Sequence, residues 1–249
     1  MQMIDNKELF SHKADDYSRF RPGYPEAAIN YLREKSPGDS VVDIGAGTGI
    51  FTKALLRCFT DVSAIEPNFD MREKFQLFLP GIPCYGSSGE ATGLADDSVD
   101  LITVAQAFHW LDAELFKKEA MRILRSGGKA AIIWNTSLQS DFTCERNKIC
   151  QKYCPRFRSG HAGKHSPEEG DRFLRNSFFR SVEVVAFDNP FVMDEEAFEG
   201  NIRSRSYALV PQDAGYGDFM AELRNVFNKY AENGTVTEPQ ETQIYLGCF

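Results

Sequence analysis

From Ser40 onward the chain alternates short apolar, β-branched runs with longer segments whose apolar residues recur at helical spacing. This is the pattern of repeated strand–helix units around a mainly parallel sheet. The first run, Val41 to Ile44, is closed by a glycine turn, GAGTG, after which a helix is predicted from Ile50 to about Phe59. A second strand covers Val62 to Ile65. Asn68 is suited to cap the next helix, which carries Met71, Phe75 and Phe78 until Pro80 and Gly81 stop it. A short IPCY strand and a polar loop lead to Val99–Ala105, apolar enough for a central strand buried on both faces. Asp112 caps a predicted helix through Leu115, Glu119 and Ile123, ended by Ser126 to Gly128, and Lys129 to Asn135 forms the next strand.

After Asn135 the alternation breaks. Residues 136 to about 166 are polar and rich in Cys, Arg and His, and read as an irregular or partly helical insertion. Regular spacing returns with a helix near Pro167 to Ser177 and a strand over Ser181 to Phe187. Helices near Asp194 to Tyr207 and Pro211 to Glu232 follow, then a terminal strand, TQIYLGC. The expected organisation is one domain over 1–249: an N-terminal lid (1–39), a core (40–135) and two substrate-side insertions (136–167 and 190–237).

A formal net charge of −8 removes the long-range attraction on which a general nucleic-acid binder relies. The densest basic groupings, Arg156/Arg158 and Arg203/Arg205, do not extend into runs. No segment approaches the about 18 apolar residues of a membrane span, and the polar N-terminus does not read as a secretion signal, so a cytoplasmic enzyme is expected. The six cysteines lack framework spacing and are expected to be reduced. Cys150, Cys154, His161 and His165 have ligand types suited to zinc, but the loop between the pairs is shorter than in zinc fingers, and no metal is expected.

The strongest chemical signal is Asp43-Ile44-Gly45-Ala46-Gly47-Thr48-Gly49, between a predicted strand and a predicted helix. Alternate glycines let the backbone turn sharply and approach a ligand closely. Glu66 ends the second strand, 17 residues after Gly49, where a carboxylate can accept hydrogen bonds from both hydroxyls of a ribose. The spacing differs from the G-x-G-x-x-G of nicotinamide enzymes, which leaves a nicotinamide-dependent oxidoreductase as the less favoured alternative. Asp43 either supports the ligand site or fixes the turn by bonding backbone amides.

VVDIGAGTGIFT resembles the first motif of class I S-adenosylmethionine (SAM)-dependent methyltransferases. AIEPNFDMR, GEATGLADDSVDLITVAQAFHW and MRILRSGGKAAII extend the resemblance across residues 40 to 135, to the methyltransferase type 11 family and its trans-aconitate/ubiquinone-type branch. The resemblance implies a Rossmann-like α/β fold: a mostly parallel seven-stranded sheet, helices on both faces and a helical insertion or lid. It implies SAM as cofactor, bound by Asp43, Gly45, Ala46, Gly47, Thr48, Gly49, Glu66, Pro67, Met71 and Gln106. Ser88, Glu90 and Ala91 would flank the adenine, although Ser88-Gly89-Glu90 stands where Asp-Ala-Glu is commoner. Ala14 to Pro25 is similar to a segment that folds over the cofactor in this branch. Tyr17 would then sit near the sulfonium and Arg21 on a carboxylate of cofactor or substrate.

Gln106, His109 and Trp110 follow the central strand, at the end where open α/β sheets bind ligands. His109, with Tyr17, is the catalytic candidate for an acceptor that needs a base; a carboxylate or thiolate needs none. The other reading of His109 is a ring packed on Trp110. Arg203 and Arg205 are two apart on a predicted helix, so only one can readily face a shared site. The similarity of IRSRSYAL to small-carboxylate methyltransferases makes one of them an acceptor contact, beside His109 and Trp110. The expected function is methyl transfer to a small molecule, a carboxylate first among candidates. A SAM-binding protein without transferase activity is the alternative from another class, and a protein acceptor stays open.

Overall fold

In the computed structural model the described residues are 14–157 and 167–249. Two helices, α1 (Ala14–Phe20) and α2 (Glu26–Lys35), precede the alternating half: β1 (Ser40–Ile44), α3 (Ile50–Leu55), β2 (Asp61–Ile65), α4 (Phe69–Phe78), β3 (Cys84–Tyr85), β4 (Val99–Ala105), α5 (Ala113–Ile123) and β5 (Leu124–Ser137). The second half holds α6 (Asp141–Tyr153), α7 (Pro167–Phe173), β6 (Ser181–Asp188), β7 (Phe191–Met193), α8 (Glu195–Arg203), α9 (Tyr216–Tyr230), β8 (Val236–Glu238) and β9 (Gln240–Cys248).

Successive strand residues point to opposite faces, and the apolar runs use both. Val41, Leu101, Ala131 and Ile133 pack with Ile29, Phe51 and Leu55, whereas Val42, Ile102, Val104 and Ile132 pack with Phe116 and Ile123. The seven strands lie in the order β3-β2-β1-β4-β5-β9-β6, and β9 runs antiparallel to both β5 and β6. The sheet is therefore the mostly parallel α/β sheet expected. Chain order reverses between β1 and β4, which opens a crevice at their carboxyl ends. No described helix is long and apolar enough to cross a membrane.

Local signals placed the element starts well. Asn68 caps α4 by accepting from the Met71 N–H, and Asp112 caps α5 by accepting from Glu114 and Leu115. Element ends differ more. Helix α3 stops at Leu55 rather than Phe59, because Arg57 and Cys58 donate three residues back and tighten the chain. Helix α5 ends at Ile123, not at Ser126–Gly128, since Leu124 already pairs with Val99 and the glycines form an irregularity inside β5. The helix expected to reach Ser177 breaks into α7 and a π-helical turn, Leu174–Phe178.

The segment read as irregular or partly helical contains α6, capped by a Ser140–Thr143 box. Both predicted insertions meet in one apolar cluster, in which Phe142 and Cys150 pack with Phe198, Phe219, Leu223 and Phe227. A two-stranded ribbon, β7 with β8, is part of this cap and was not anticipated.

Candidate active site

The glycine turn after β1 is built from the backbone outward. Gly45 and Ala46 donate N–H bonds to Ile65 O at 2.8 and 3.1 Å, tying the turn to the end of β2. Gly45 has φ 69° and a Cβ there would lie 2.5 Å from the Ala107 Cβ, so both conformation and space demand glycine. Gly47 differs: an added Cβ would meet only the Tyr17 ring at 3.9 Å, and its φ of 58° is what requires glycine.

Glu66 is locked into this turn. Its Oε2 accepts from Gly47 N–H and its Oε1 from Asn68 N–H, both at 2.8 Å. Burial pushes its carboxyl above the usual range, opposed by these two backbone bonds and by Arg72. Each oxygen keeps a further lone pair, and the residue lines an open cleft of about 490 Å³. Gly45, Gly47, Pro67, Met71, Ser88, Glu90, Gln106 and Trp110 share its walls. Gly89, between Ser88 and Glu90, packs so closely on Ile44 that a Cβ would come within 2.6 Å of it. Glu90 Oε1 accepts from Asp112 N–H at 2.9 Å, fixing the far wall. Thr48, Gly49 and Ala91 lie off the walls: Thr48 is fully buried, and Ala91 donates to Ser88 O.

A second, narrow cavity, of about 40 Å³, continues from the first past Tyr17, Gly45, Ala105 and Gln106. Arg21, Tyr24, Asp43, Ala46, Asn135, Arg205 and Gln240 line it. Asp43 is wholly buried; Thr52 Oγ1 donates to Oδ2 at 2.6 Å and Thr103 Oγ1 to Oδ1 at 3.1 Å. Burial pushes its carboxyl up to about 7, with the threonines, including the Thr52 backbone N–H, pulling the other way. Asp43 therefore ties β1 to α3 and β4 from behind the turn.

The Arg21 guanidinium lies 4.7 Å from the Tyr17 ring centroid, and its Nη2 donates to Ser204 O at 3.0 Å. Its Nε is buried and has no partner among the described residues. Burial first, then the Arg205 charge, lower the Arg21 guanidinium to about 10. Arg205 Nη2 donates to Asn201 Oδ1 at 3.0 Å. Arg203 points elsewhere, pairing with Asp16 of α1 at 2.9 and 3.4 Å. His109, in a 3₁₀ turn over Phe108–Trp110, lines neither cavity. Its ring sits 4.6 Å from Trp110 and stacks on Trp134 at 5.3 Å.

Tyr24, Asn135 and Gln240 were not singled out beforehand. Tyr24 stood inside the quoted Arg21-Pro22-Gly23-Tyr24-Pro25 stretch and was findable there; Gln240 carries no local signal. No group of three metal-ligating side chains occurs among the described residues, and His161 and His165 lie outside them.

Residues 42–132 match the family model for a methyltransferase domain of type 11. An uncharacterized methyltransferase of Mycobacterium tuberculosis is 38% identical over 127 residues, 51% of this chain and 52% of that protein. The chain thus spans about half the length of the first curated relatives it matches. An uncharacterized methyltransferase of Schizosaccharomyces pombe is 28% identical over 184 residues, 70% of this chain and 72% of its own. In fold, a candidate type II methyltransferase of Anaeromyxobacter dehalogenans aligns with a TM-score of 0.68 at 22% identity, over 92% of this chain and 98% of that one. A turn that only glycine can make, a pinned carboxylate with free lone pairs and a cleft at the β1/β4 switch point suit a ligand that carries a ribose. Residues 42–132 are thus similar to a type 11 methyltransferase domain, and the chain shares the fold of a solved methyltransferase structure.

Proposed function

We propose that the protein transfers the methyl group of SAM to a small acceptor that carries a carboxylate, the outer cleft holding the cofactor and the inner cavity the acceptor. SAM, when bound, supplies a methyl group activated by its sulfonium. Glu66 would hold the ribose hydroxyls, and Gly45 and Gly47 would let the backbone approach. Ser88, Glu90 and Met71 would border the adenine.

The observation that carries the acceptor class is the change of charge across Tyr17. Glu66 lies on the outer side, whereas Arg21 and Arg205 share the inner cavity. The Arg21 and Arg205 guanidiniums repel each other, and an acidic acceptor relieves that repulsion. A carboxylate is already a nucleophile, so alignment and exclusion of water serve in place of a base. This agrees with His109 being packed between tryptophans instead of facing either cavity. Trp110 would wall the cofactor side and Tyr17 the passage between cavities.

Calorimetric titration with SAM and S-adenosylhomocysteine tests the cofactor half. Micromolar binding is expected, weakened about tenfold or more in Glu66→Ala, since hydrogen bonds to a charged group are lost with the turn's clamp. Binding of NAD in place of both ligands would sink the reading. A screen of small carboxylic acids with labelled SAM then tests the acceptor half. Methylation of amines or phenols alone would count against the carboxylate.

A further inference from the structure

We propose that Tyr24 orients the acceptor, donating its phenolic hydrogen bond to the acid group that Arg21 and Arg205 attract into the inner cavity. The inference rests on the methyl-transfer reading and adds a third group to the acceptor site. Tyr24 lines the inner cavity but not the outer cleft, so its hydroxyl belongs to the acceptor side.

Three features place the ring. Its edge meets Phe51 of α3 at 4.6 Å and 75°. The carbonyl of the preceding Gly23 accepts from two side-chain amides, Asn135 Nδ2 at 3.1 Å and Asn189 Nδ2 at 3.0 Å. Thr242 Oγ1 donates to Asn135 Oδ1 at 2.6 Å, which orients that amide. The strap bearing Tyr24 is thus fastened to β5 and to the segment between β6 and β7, whose amides are braced by Thr242 of β9.

The third feature is Gln106, which lines both cavities with φ 60°, a left-handed conformation that a non-glycine residue adopts at a cost. Its backbone N–H donates to Ile133 O at 2.9 Å, and its side chain lies within hydrogen-bonding reach of the Tyr24 phenol. A neutral phenol carries an O–H that can donate to a ligand in the cavity it lines. The strained backbone is accounted for if the Gln106 side chain must reach Tyr24.

Burial, ahead of every other cause, raises the Tyr24 phenol well above its ordinary value, so it stays protonated and acts as donor rather than base. The remaining titratable groups on the cavity wall are Tyr17 and Asp43, and both Asp43 oxygens accept from threonine hydroxyls. Two guanidiniums and one neutral phenol, with the Arg21 Nε still lacking a protein partner among the described residues, form a cradle for a small carboxylate.

The test titrates malonate, as a carboxylate probe, into protein saturated with S-adenosylhomocysteine. In Tyr24→Phe the malonate Kd is expected to rise about tenfold, with S-adenosylhomocysteine affinity unchanged within about twofold, the size of effect one lost hydrogen bond to a charged group gives. Gln106→Asn keeps a residue that tolerates the left-handed region but shortens its reach. It should reproduce part of that loss and add little in the double variant. Wild-type malonate affinity in Tyr24→Phe, or no malonate binding to the wild-type complex, overturns the assignment of Tyr24. Failure of S-adenosylhomocysteine to bind the wild type overturns the methyl-transfer reading instead, so the two failures are separable.

Discussion

Asp43 has no exposed surface, and its carboxyl, pushed from 3.8 up to about 7 by burial, keeps a proton in the folded chain where the unfolded chain has released it. Between those two values the folded state binds more protons than the unfolded one, so this residue's contribution to stability falls as pH rises through the window. Asp43→Asn removes the titration. The difference in unfolding free energy between wild type and variant is then expected to shift, against the wild type, by on the order of 1.4 kcal/mol per pH unit inside the window. Urea melts at about pH 5 and about pH 7 read this directly, and parallel pH dependences in the two proteins would contradict it. The position of Asp43 before the glycine turn was legible in the chain. That Thr52 and Thr103 would hold it was not, because they reach it from two other elements.

Helix α1 is joined to α8 residue by residue. Asn201 Nδ2 donates to Phe20 O at 2.9 Å, Arg203 pairs with Asp16, and the Phe20 ring lies directly over Gly200. A Cβ at Gly200 would fall 2.1 Å from that ring, so close contact is the reason glycine stands inside this helix. Gly200→Ala is expected to cost about 1 to 3 kcal/mol through overpacking. It should also lift α1, making trypsin cut after Arg19 several times faster while the sheet's amides stay protected from exchange. An unchanged cleavage rate would show that Phe20 simply swings aside. The division between Arg203 and Arg205 also arises here. Arg203 is the last residue of α8 and faces α1, and Arg205 lies beyond the helix end, where the turned chain carries it into the inner cavity. Their two-residue spacing was enough to expect that one would face away; which one depended on where α8 stops.

The cap over the sheet has its own apolar cluster and its own buried ion pair. Arg146 of α6 bonds Glu238 of β8, with 8% and 1% of their side chains exposed, and the Ser137 hydroxyl donates to the same carboxylate. The Arg146 charge holds the Glu238 carboxyl below its usual range against burial. Glu238→Ala leaves a buried guanidinium uncompensated and is expected to cost about 3 to 5 kcal/mol, whereas Arg146→Met with Glu238→Leu should recover most of that loss. Thermal melts of both variants check it, and a double variant no better than the single would place the pair's value in geometry instead of charge. The glycine turn, Glu66 and the caps at Asn68 and Asp112 could be read from the chain because each has a cause within a few residues: a positive φ, a strand end, an unpaired N–H. The inner cavity could not be read that way. Arg21, Asn135, Arg205 and Gln240 come from four distant segments, and they meet only because β9 inserts beside β5 and the two insertions pack as one cap over the crevice. Local chemistry was written in neighbouring residues, while the inner cavity depends on long-range packing, which no short stretch of sequence encodes.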